Sequence, residues 1–159
     1  MPVQLSIRDI RVLKIDYSLV PQAVNRPADP EESSEPGEKT IEMKMNFRSE
    51  YPAPGKNQSL LKVIQGVQLA GDLIPFSIYV EMGGLFSFDT EPPPDEFDRL
   101  RNINCNAILF PYVRELVSEI CRRGGLSPIY LPPVNFVQLH KDGVFKHGQH
   151  NQEGQNTKA

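Results

Sequence analysis

The strongest constraint on the fold is a long segment whose apolar residues repeat at helical spacing and cover more than one side. The segment runs from Asp95 to Arg123, and Gly124 and Gly125 follow as a stop signal. A helix that is apolar on several sides is buried on several sides, so we predict one long helix over 95–123. Pro111 predicts a kink within it. Its apolar residues are Phe97, Leu100, Ile103, Ala107, Ile108, Leu109, Phe110, Tyr112, Val113, Leu116, Val117 and Ile120.

Before this helix the apolar residues alternate with a period of two. Residues 41–48, 59–70 and 76–82 each place apolar side chains on one parity, which predicts three half-buried strands. Residues 3–19 change parity twice, which predicts a fourth strand with bulges or a strong bend. Gly83-Gly84 indicates a further bulge or a close backbone approach. The predicted fold class is α+β: a four-stranded antiparallel sheet, a meander with a long crossover loop, plus one long kinked helix.

Prolines mark the joints of the chain. Residues 20–37 carry four prolines and four acidic residues, which predicts a flexible crossover loop. Residues 126–136, the strap, are apolar but broken by prolines, so they are extended. Such a strap either packs onto the sheet and completes the core, or forms one wall of an apolar groove. We predict one domain over 1–141 and a disordered polar tail over 142–159.

Charge and cysteine content exclude several classes of protein. Seventeen basic and 20 acidic residues give a net charge of −3 and a pI near 5.6, which argues against nucleic-acid binding. No apolar run or amino-terminal pattern indicates a membrane span or a signal peptide, so we expect a cytoplasmic protein. Cys105 and Cys121 would lie about 24 Å apart on one helix, too far for a disulfide.

No catalytic or metal-binding motif is visible in the sequence. His140, His147 and His150 lie close together, but no cysteine or carboxylate cluster with ligand spacing accompanies them. We interpret them as part of the solvated tail, and we expect a non-enzyme without cofactor or metal.

The composition of the helix also predicts self-association. A four-stranded sheet can bury only one side of a single helix, whereas this helix is apolar nearly all round. A second copy of the chain would bury the remaining apolar sides. The alternative is a helix pressed into a curved sheet, with the tail folded over it.

Three motifs carry a family resemblance. They are Gly83-Gly84-Leu85-Phe86-Ser87, the helix core from Asn104 to Glu115 (N-C-N-A-I-L-F-P-Y-V-R-E), and Leu131-Pro132-Pro133-Val134-Asn135-Phe136. In order and spacing, this combination resembles the SecB export chaperone family. The resemblance is strong over Pro75–Phe136, follows the pattern of the earlier strands, and does not extend to the crossover loop or the tail.

The resemblance implies an assembly and an activity. In SecB two protomers form an eight-stranded sheet, and two dimers pack through their helices into a homotetramer, so we expect a dimer or tetramer. The activity implied is that of an ATP-independent holdase, which keeps unfolded chains competent for translocation or folding. The implied oligomer interface is Ile103, Ile108, Tyr112 and Leu116. The implied client-binding residues are Phe76, Ile78, Leu126, Tyr130, Leu131, Val134 and Phe136, to which we add Met43 and Met45 because methionine adapts to varied partners, although a core role fits them equally.

The partners implied are unfolded preproteins and the SecA motor. The acidic sheet positions that SecB presents to SecA correspond here to Lys14, Ser18 and Tyr79, and residues 137–159 would form at most a turn or two of helix. These departures favour a second hypothesis, a dedicated chaperone of one partner such as an antitoxin in a toxin–antitoxin system. A third hypothesis is a module that binds a small apolar ligand.

Overall fold

The fold is an antiparallel sheet of four long strands and one short carboxyl-terminal strand, backed on one face by a long helix. The computed structural model describes residues 2–19, 41–50, 60–71 and 73–145, and the backbone of 153–158. The sheet order is β1-β4-β3-β2-β5, and every neighbouring pair is antiparallel. The predicted α+β fold is therefore confirmed. The strands are β1 (Leu5–Leu19), β2 (Ile41–Glu50), β3 (Leu60–Gly71), β4 (Phe76–Phe88) and β5 (Glu153–Lys158).

The meander prediction holds for β2, β3 and β4, which pair in sequence order. β1 instead pairs with β4, so the chain passes from one side of the sheet to the other between β1 and β2. The predicted crossover loop over 20–37 lies outside the described residues.

The predicted bulges in β1 are confirmed. The register against β4 shifts between Ile7 and Asp9 and again between Val12 and Lys14. Each shift restores the apolar parity of the strand after a break, so one face of β1 stays apolar along its length. Gly83 accommodates the second bulge, because a Cβ there would lie 2.9 Å from Cδ1 of Leu13. The Gly83-Gly84 pair is thus a close approach, since β4 keeps a regular register with β3.

The predicted helix over 95–123 is also confirmed. It comprises α1 (Pro94–Arg99), a π-helical segment (Leu100–Asn104) and α2 (Cys105–Arg123), which contains Pro111. Gly125, with φ of +86°, follows its carboxyl end in the left-handed conformation that favours glycine. A short helix, α3 (Phe136–Lys141), follows the strap, and the side chain of Asn135 accepts a hydrogen bond from the Gln138 amide at its start.

The π-helical segment was not predicted, and a buried amide network accompanies it. Nδ2 of Asn106 donates to the carbonyl oxygens of Arg101 and Asn102, at 3.2 and 3.1 Å. A π segment displaces helical carbonyls from their usual partners, and the Asn106 side chain satisfies them. Gln65 of β3 is fully buried and donates from Nε2 to the carbonyl oxygen and to Oδ1 of Asn106, at 2.8 and 2.9 Å. These bonds fix the helix on the sheet.

We therefore expect Asn106→Ala to lower the free energy of unfolding by about 1–3 kcal/mol, because it leaves buried polar partners unsatisfied. Urea denaturation at equilibrium measures the change. Asn104→Ala is the matched control, since Asn104 is exposed at the end of the same segment. An unchanged Asn106→Ala midpoint would show that the network does not stabilise the fold.

The core lies between α2 and the face of the sheet that α2 covers. Residues of β2, β3 and β4 on this face are in register, for example Met45 with Val67 and Val67 with Val80. From the helix, Leu109, Val113 and Val117 are buried against them. The predicted alternation in these three strands is confirmed by this burial.

Beyond α2, the β2 side of the core is covered by aromatic residues of the carboxyl-terminal part of the chain. Phe47 of β2 contacts Phe136 and Phe145, with ring centroids 5.8 and 5.3 Å apart, and Phe136 also contacts Phe110 of α2 at 5.8 Å. The sequence predicted a disordered tail over 142–159, but Phe145 packs here and β5 pairs with β2. The physical reason is that β2 would otherwise leave its backbone N–H and C=O groups unpaired on that side.

Two kinds of feature are absent from the part of the chain that the structure describes. No helix there is both long and apolar enough to cross a membrane. No cluster of histidine, cysteine or carboxylate side chains within that part of the chain could hold a metal ion. His147 and His150 lie outside the described residues.

Candidate functional site

The most exposed apolar surface of the described chain lies on β1. Its side chains on the helix-covered face pair in register with buried residues of β4, for example Ile15 with Val80 and Tyr17 with Ile78. The helix leaves most of their surface uncovered: only its end at Gly124 comes close to one of them, the Tyr17 hydroxyl, and the side chains remain between 39% and 59% exposed. We call this set the β1 stripe: Ile7, Val12, Ile15, Tyr17 and Leu19.

The β1 stripe has the composition of a core but lacks a cover. Exposed single apolar side chains are ordinary, whereas a contiguous row in register with the core indicates an interaction surface. Sequence reasoning identified the strand but not the stripe. The available signal was the parity of β1, which repeats the apolar alternation of the central strands.

The residues predicted for the oligomer interface lie on the long helix. Ile108, Tyr112 and Leu116 follow each other at intervals of four and so share one side of α2. Tyr112 is 44% exposed, while Ile108, Leu116 and the more amino-terminal Ile103 are half-buried against the core. This side of the helix is therefore partly accessible, and the interface assignment stays a prediction.

The strap runs back along α2 after the turn at Gly124-Gly125. The backbone N–H of Ile129 donates a hydrogen bond to the Cys121 thiol. The Arg114 guanidinium lies 6.0 Å from the Tyr130 ring centroid. The strap ends where Phe136 meets Phe110. It therefore covers the flank of the helix that faces β2.

Neighbouring residues of the strap have opposite environments. Leu131 is 1% exposed and Phe136 is 4% exposed, so both belong to the core. Tyr130 is 67% exposed, and Leu126 and Val134 are half-buried. Both interpretations of the strap thus describe part of it: it completes the core with one set of side chains and presents another set outward.

The predicted client-binding residues separate in the same way. Phe76 and Ile78 of β4 are fully buried, and a Cβ at Gly124 would lie 3.3 Å from the Phe76 ring. Of the seven predicted residues, a client can reach only Leu126, Tyr130 and Val134 without a movement of the strap or helix. Met43 and Met45 are also buried, in agreement with a core role. Client contact by the accessible three stays a prediction.

Both cysteines are buried, and burial controls their chemistry. Loss of hydration raises the pKa of the Cys105 thiol to about 12. Burial also raises the pKa of the Cys121 thiol, although a backbone hydrogen bond from Ile129 partly opposes that rise. Since the thiolate is the reactive form, neither side chain is a nucleophile near neutral pH.

We expect neither thiol of the folded protein to react with an aromatic disulfide reagent within minutes at about pH 8, because both groups stay protonated and inaccessible. The same protein in guanidinium chloride should titrate both cysteines. A rapidly reacting thiol in the folded protein would contradict the burial of the helix against the sheet.

The outer face of the sheet, turned away from α2, is polar and mixed in charge. Arg48 pairs with Glu81 at 2.6 Å, and Nδ2 of Asn46 donates to the Tyr79 hydroxyl at 3.1 Å. The Lys14 ammonium lies 5.5 Å from the Tyr79 ring centroid. Lys14 and Tyr79, two of the three positions that correspond to acidic residues in SecB, thus contact each other as a cation and an aromatic ring.

These features define an α+β protein that keeps part of its core-facing apolar surface open along an edge of the sheet and on a strap. The family model for preprotein translocase subunit SecB matches residues 18–147, and the chain belongs to the SecB family.

Individual relatives agree with this assignment. The protein-export protein SecB of Afipia carboxidovorans is 29% identical over 99 residues, which cover 62% of this chain and 61% of the relative. That of Acidithiobacillus ferrooxidans is 39% identical over 72 residues, or 45% of this chain and 48% of the relative. The chain therefore spans about half to three-fifths of the length of these curated relatives.

A solved structure shows the same fold. The SecB-like chaperone Rv1957 of Mycobacterium tuberculosis, in complex with a peptide from the HigA1 antitoxin, superposes with a TM-score of 0.61 at 20% identity. The match covers 82% of this chain and 88% of that one.

Proposed function

We propose that this chain is an ATP-independent holdase that binds unfolded, apolar polypeptide segments and keeps them competent for translocation or folding. The observation that carries the proposal is the apolar surface that the strap of this SecB-family fold leaves open, chiefly the side chain of Tyr130. The proposed activity makes and breaks no covalent bond, so the proposal is a binding protein and not an enzyme. We place it in the cytoplasm, in keeping with its SecB family.

The binding mechanism follows from the chemistry of this surface. Apolar side chains of a client bury area against Tyr130 and Val134 without reading a particular sequence, because the hydrophobic effect is non-directional. Each contact is weak, but one unfolded chain engages several of them. The second and later contacts form at a high effective concentration, which multiplies the overall affinity.

Self-association is part of the proposal. β1 ends the sheet order, and among the described residues it pairs only with β4, so its other backbone edge is available to a second copy. The β1 stripe and the accessible side of α2 around Tyr112 would then be covered between copies. This assembly is a dimer or a tetramer of identical chains, with closed symmetry.

The test of the holding activity is complex formation with an unfolded reporter protein in the absence of nucleotide. Size-exclusion chromatography should show a stable complex with a reduced, permanently unfolded reporter and none with the folded form of the same reporter. Equal binding of the two forms, or binding of neither, would contradict the proposal.

The antitoxin observed with the Mycobacterium tuberculosis relative supports a second candidate, a dedicated chaperone of one such partner. The mixed charge of the outer face, with Arg48 paired to Glu81 and Lys14 near Tyr79, also differs from the acidic surface that the resemblance implies for SecA docking. Purification of the chain from its host separates the candidates. One dominant small partner supports the dedicated chaperone, whereas a spread of preproteins with SecA supports the general holdase.

A further inference from the structure

The far side of β2 is occupied by the chain's own carboxyl-terminal strand. β5 pairs antiparallel with β2, with Lys158 opposite Glu42, Thr157 opposite Met43, and Asn156 opposite Lys44. A register shift follows before Asn46, which is opposite Glu153. The pairing therefore extends along the part of β2 that contains Met43 and Met45, whose side chains are buried in the core.

β5 is a weak strand by composition. Its sequence is Glu-Gly-Gln-Asn-Thr-Lys, in which threonine alone belongs to the residues that favour strands. It contains no large apolar residue, so burial of apolar area contributes little to its hold. What holds it is backbone pairing together with its tether to α3, which keeps its concentration near β2 high. Such a strand can be displaced by a better one.

The surroundings of this edge favour an apolar replacement. Phe47, near the end of β2, lies against Phe136 and Phe145 on the helix-covered face. An extended segment with apolar side chains at alternate positions could pair with β2 and turn those side chains toward this aromatic cluster. Backbone pairing does not depend on sequence, which suits a protein that accepts many unfolded chains.

We infer that the β2 edge is a binding site for an extended segment of an unfolded client, and that Glu153–Lys158 occupies this site until the client strand displaces it. The inference rests on the proposed holdase function and specifies how part of the client is held. In this mechanism the tail competes with clients, so the apparent affinity equals the intrinsic affinity multiplied by the fraction of chains whose tail is released.

The first experiment locks the tail in the full-length chain with Lys44→Cys and Asn156→Cys, which are Cα partners in the register. The native cysteines are buried and do not compete for oxidation. We expect the oxidised variant to bind the unfolded reporter roughly tenfold more weakly than its reduced form, because the lock removes the released state. Lys44→Cys alone is the matched control. Its thiol is alkylated with iodoacetamide, so that no disulfide forms between two chains, and it should bind the reporter equally under oxidising and reducing conditions.

The second experiment releases the tail with Asn156→Pro and Thr157→Pro together. Successive residues of a strand point their N–H groups in opposite directions, so one of the two prolines must remove a donor that faces β2. We expect the affinity for the unfolded reporter to rise several-fold, because the tail is then released in every chain and not only in a fraction of them.

The outcomes separate the inference from the function on which it rests. If no disulfide forms on oxidation, or if the oxidised and reduced forms bind equally, the inference is overturned while holding by the unaltered chain stands. Weaker binding by the proline variant would overturn it as well. If the unaltered chain binds no unfolded reporter, the proposed function itself fails.

Discussion

The Ile15→Asp variant is expected to be monomeric at concentrations where the unaltered chain forms an oligomer. Ile15 is 50% exposed in the protomer, at the centre of the β1 stripe, so the change leaves the protomer's own core intact. In the proposed assembly the same position is buried, and burial of an unpaired carboxylate costs several kcal/mol, which exceeds what one interface side chain contributes. Light scattering coupled to size-exclusion chromatography measures the mass directly.

The matched control for this prediction is Leu13→Asp. Leu13 lies on the same strand and is 39% exposed, but it faces Gly83 on the outer side of the sheet. The Leu13→Asp variant should have the same oligomer mass as the unaltered chain. Equal masses for Ile15→Asp and the unaltered oligomer would remove the β1 stripe from the interface, and a monomeric unaltered chain would remove self-association altogether.

Leu131→Ala is expected to destabilise the fold far more than the same truncation at Tyr130, its neighbour on the strap. Leu131 is 1% exposed within the core, and truncation of a buried leucine to alanine costs about 2–5 kcal/mol through lost burial and the cavity left behind. Tyr130→Ala, one residue earlier, removes a side chain that is 67% exposed and should change the free energy of unfolding by about 0.5 kcal/mol or less.

Urea denaturation of the two variants under identical conditions gives the comparison. Similar midpoints would contradict the division of the strap into core and outward residues. The same division shows that aspartate at Leu131 or Phe136 would test folding and not binding, because both side chains are buried.

Much of the fold could be predicted from the sequence because its signals are local. The period-two alternation fixed β2, β3 and β4, and the two parity changes in β1 became the shifts after Ile7 and Val12. The helix over 95–123 followed from apolar spacing and from the Gly124-Gly125 stop. In each case the pattern of one segment sets which of its own side chains meet the core.

The features that sequence reasoning missed depend on partners distant in the chain. Asn106, which bonds to the Asn102 carbonyl of the π-helical segment, is itself held by Gln65 of β3, 41 residues earlier in the chain, and no local spacing predicts that contact. β5 has a polar sequence, and its place depends on a backbone edge that β2 leaves free more than 100 residues earlier. Neither feature alters the apolar pattern from which strands and helices were predicted.

The candidate site was predicted as one set and the structure divides it. The resemblance supplied seven client-binding residues, but it could not distinguish Tyr130 from Leu131, since an extended segment broken by prolines has no regular period. Only the packing of α2 and β2 decides which strap side chains turn inward. The β1 stripe was missed for a related reason. Its alternation resembles that of a covered strand, and it stays exposed because one helix is too narrow to cover all four long strands.

Suppression of aggregation by Tyr130→Ser tests whether the outward apolar side chains of the strap hold unfolded chains without ATP. A denatured client is diluted into nucleotide-free buffer with an equimolar amount of the chain, and light scattering is followed. We predict that the unaltered chain and Leu13→Ser, a variant of an exposed leucine on the outer face, suppress scattering, whereas Tyr130→Ser loses most of the suppression while its unfolding midpoint stays the same. Full suppression by Tyr130→Ser, or equal losses in both variants, would show that the outward side chain of the strap does not hold the client.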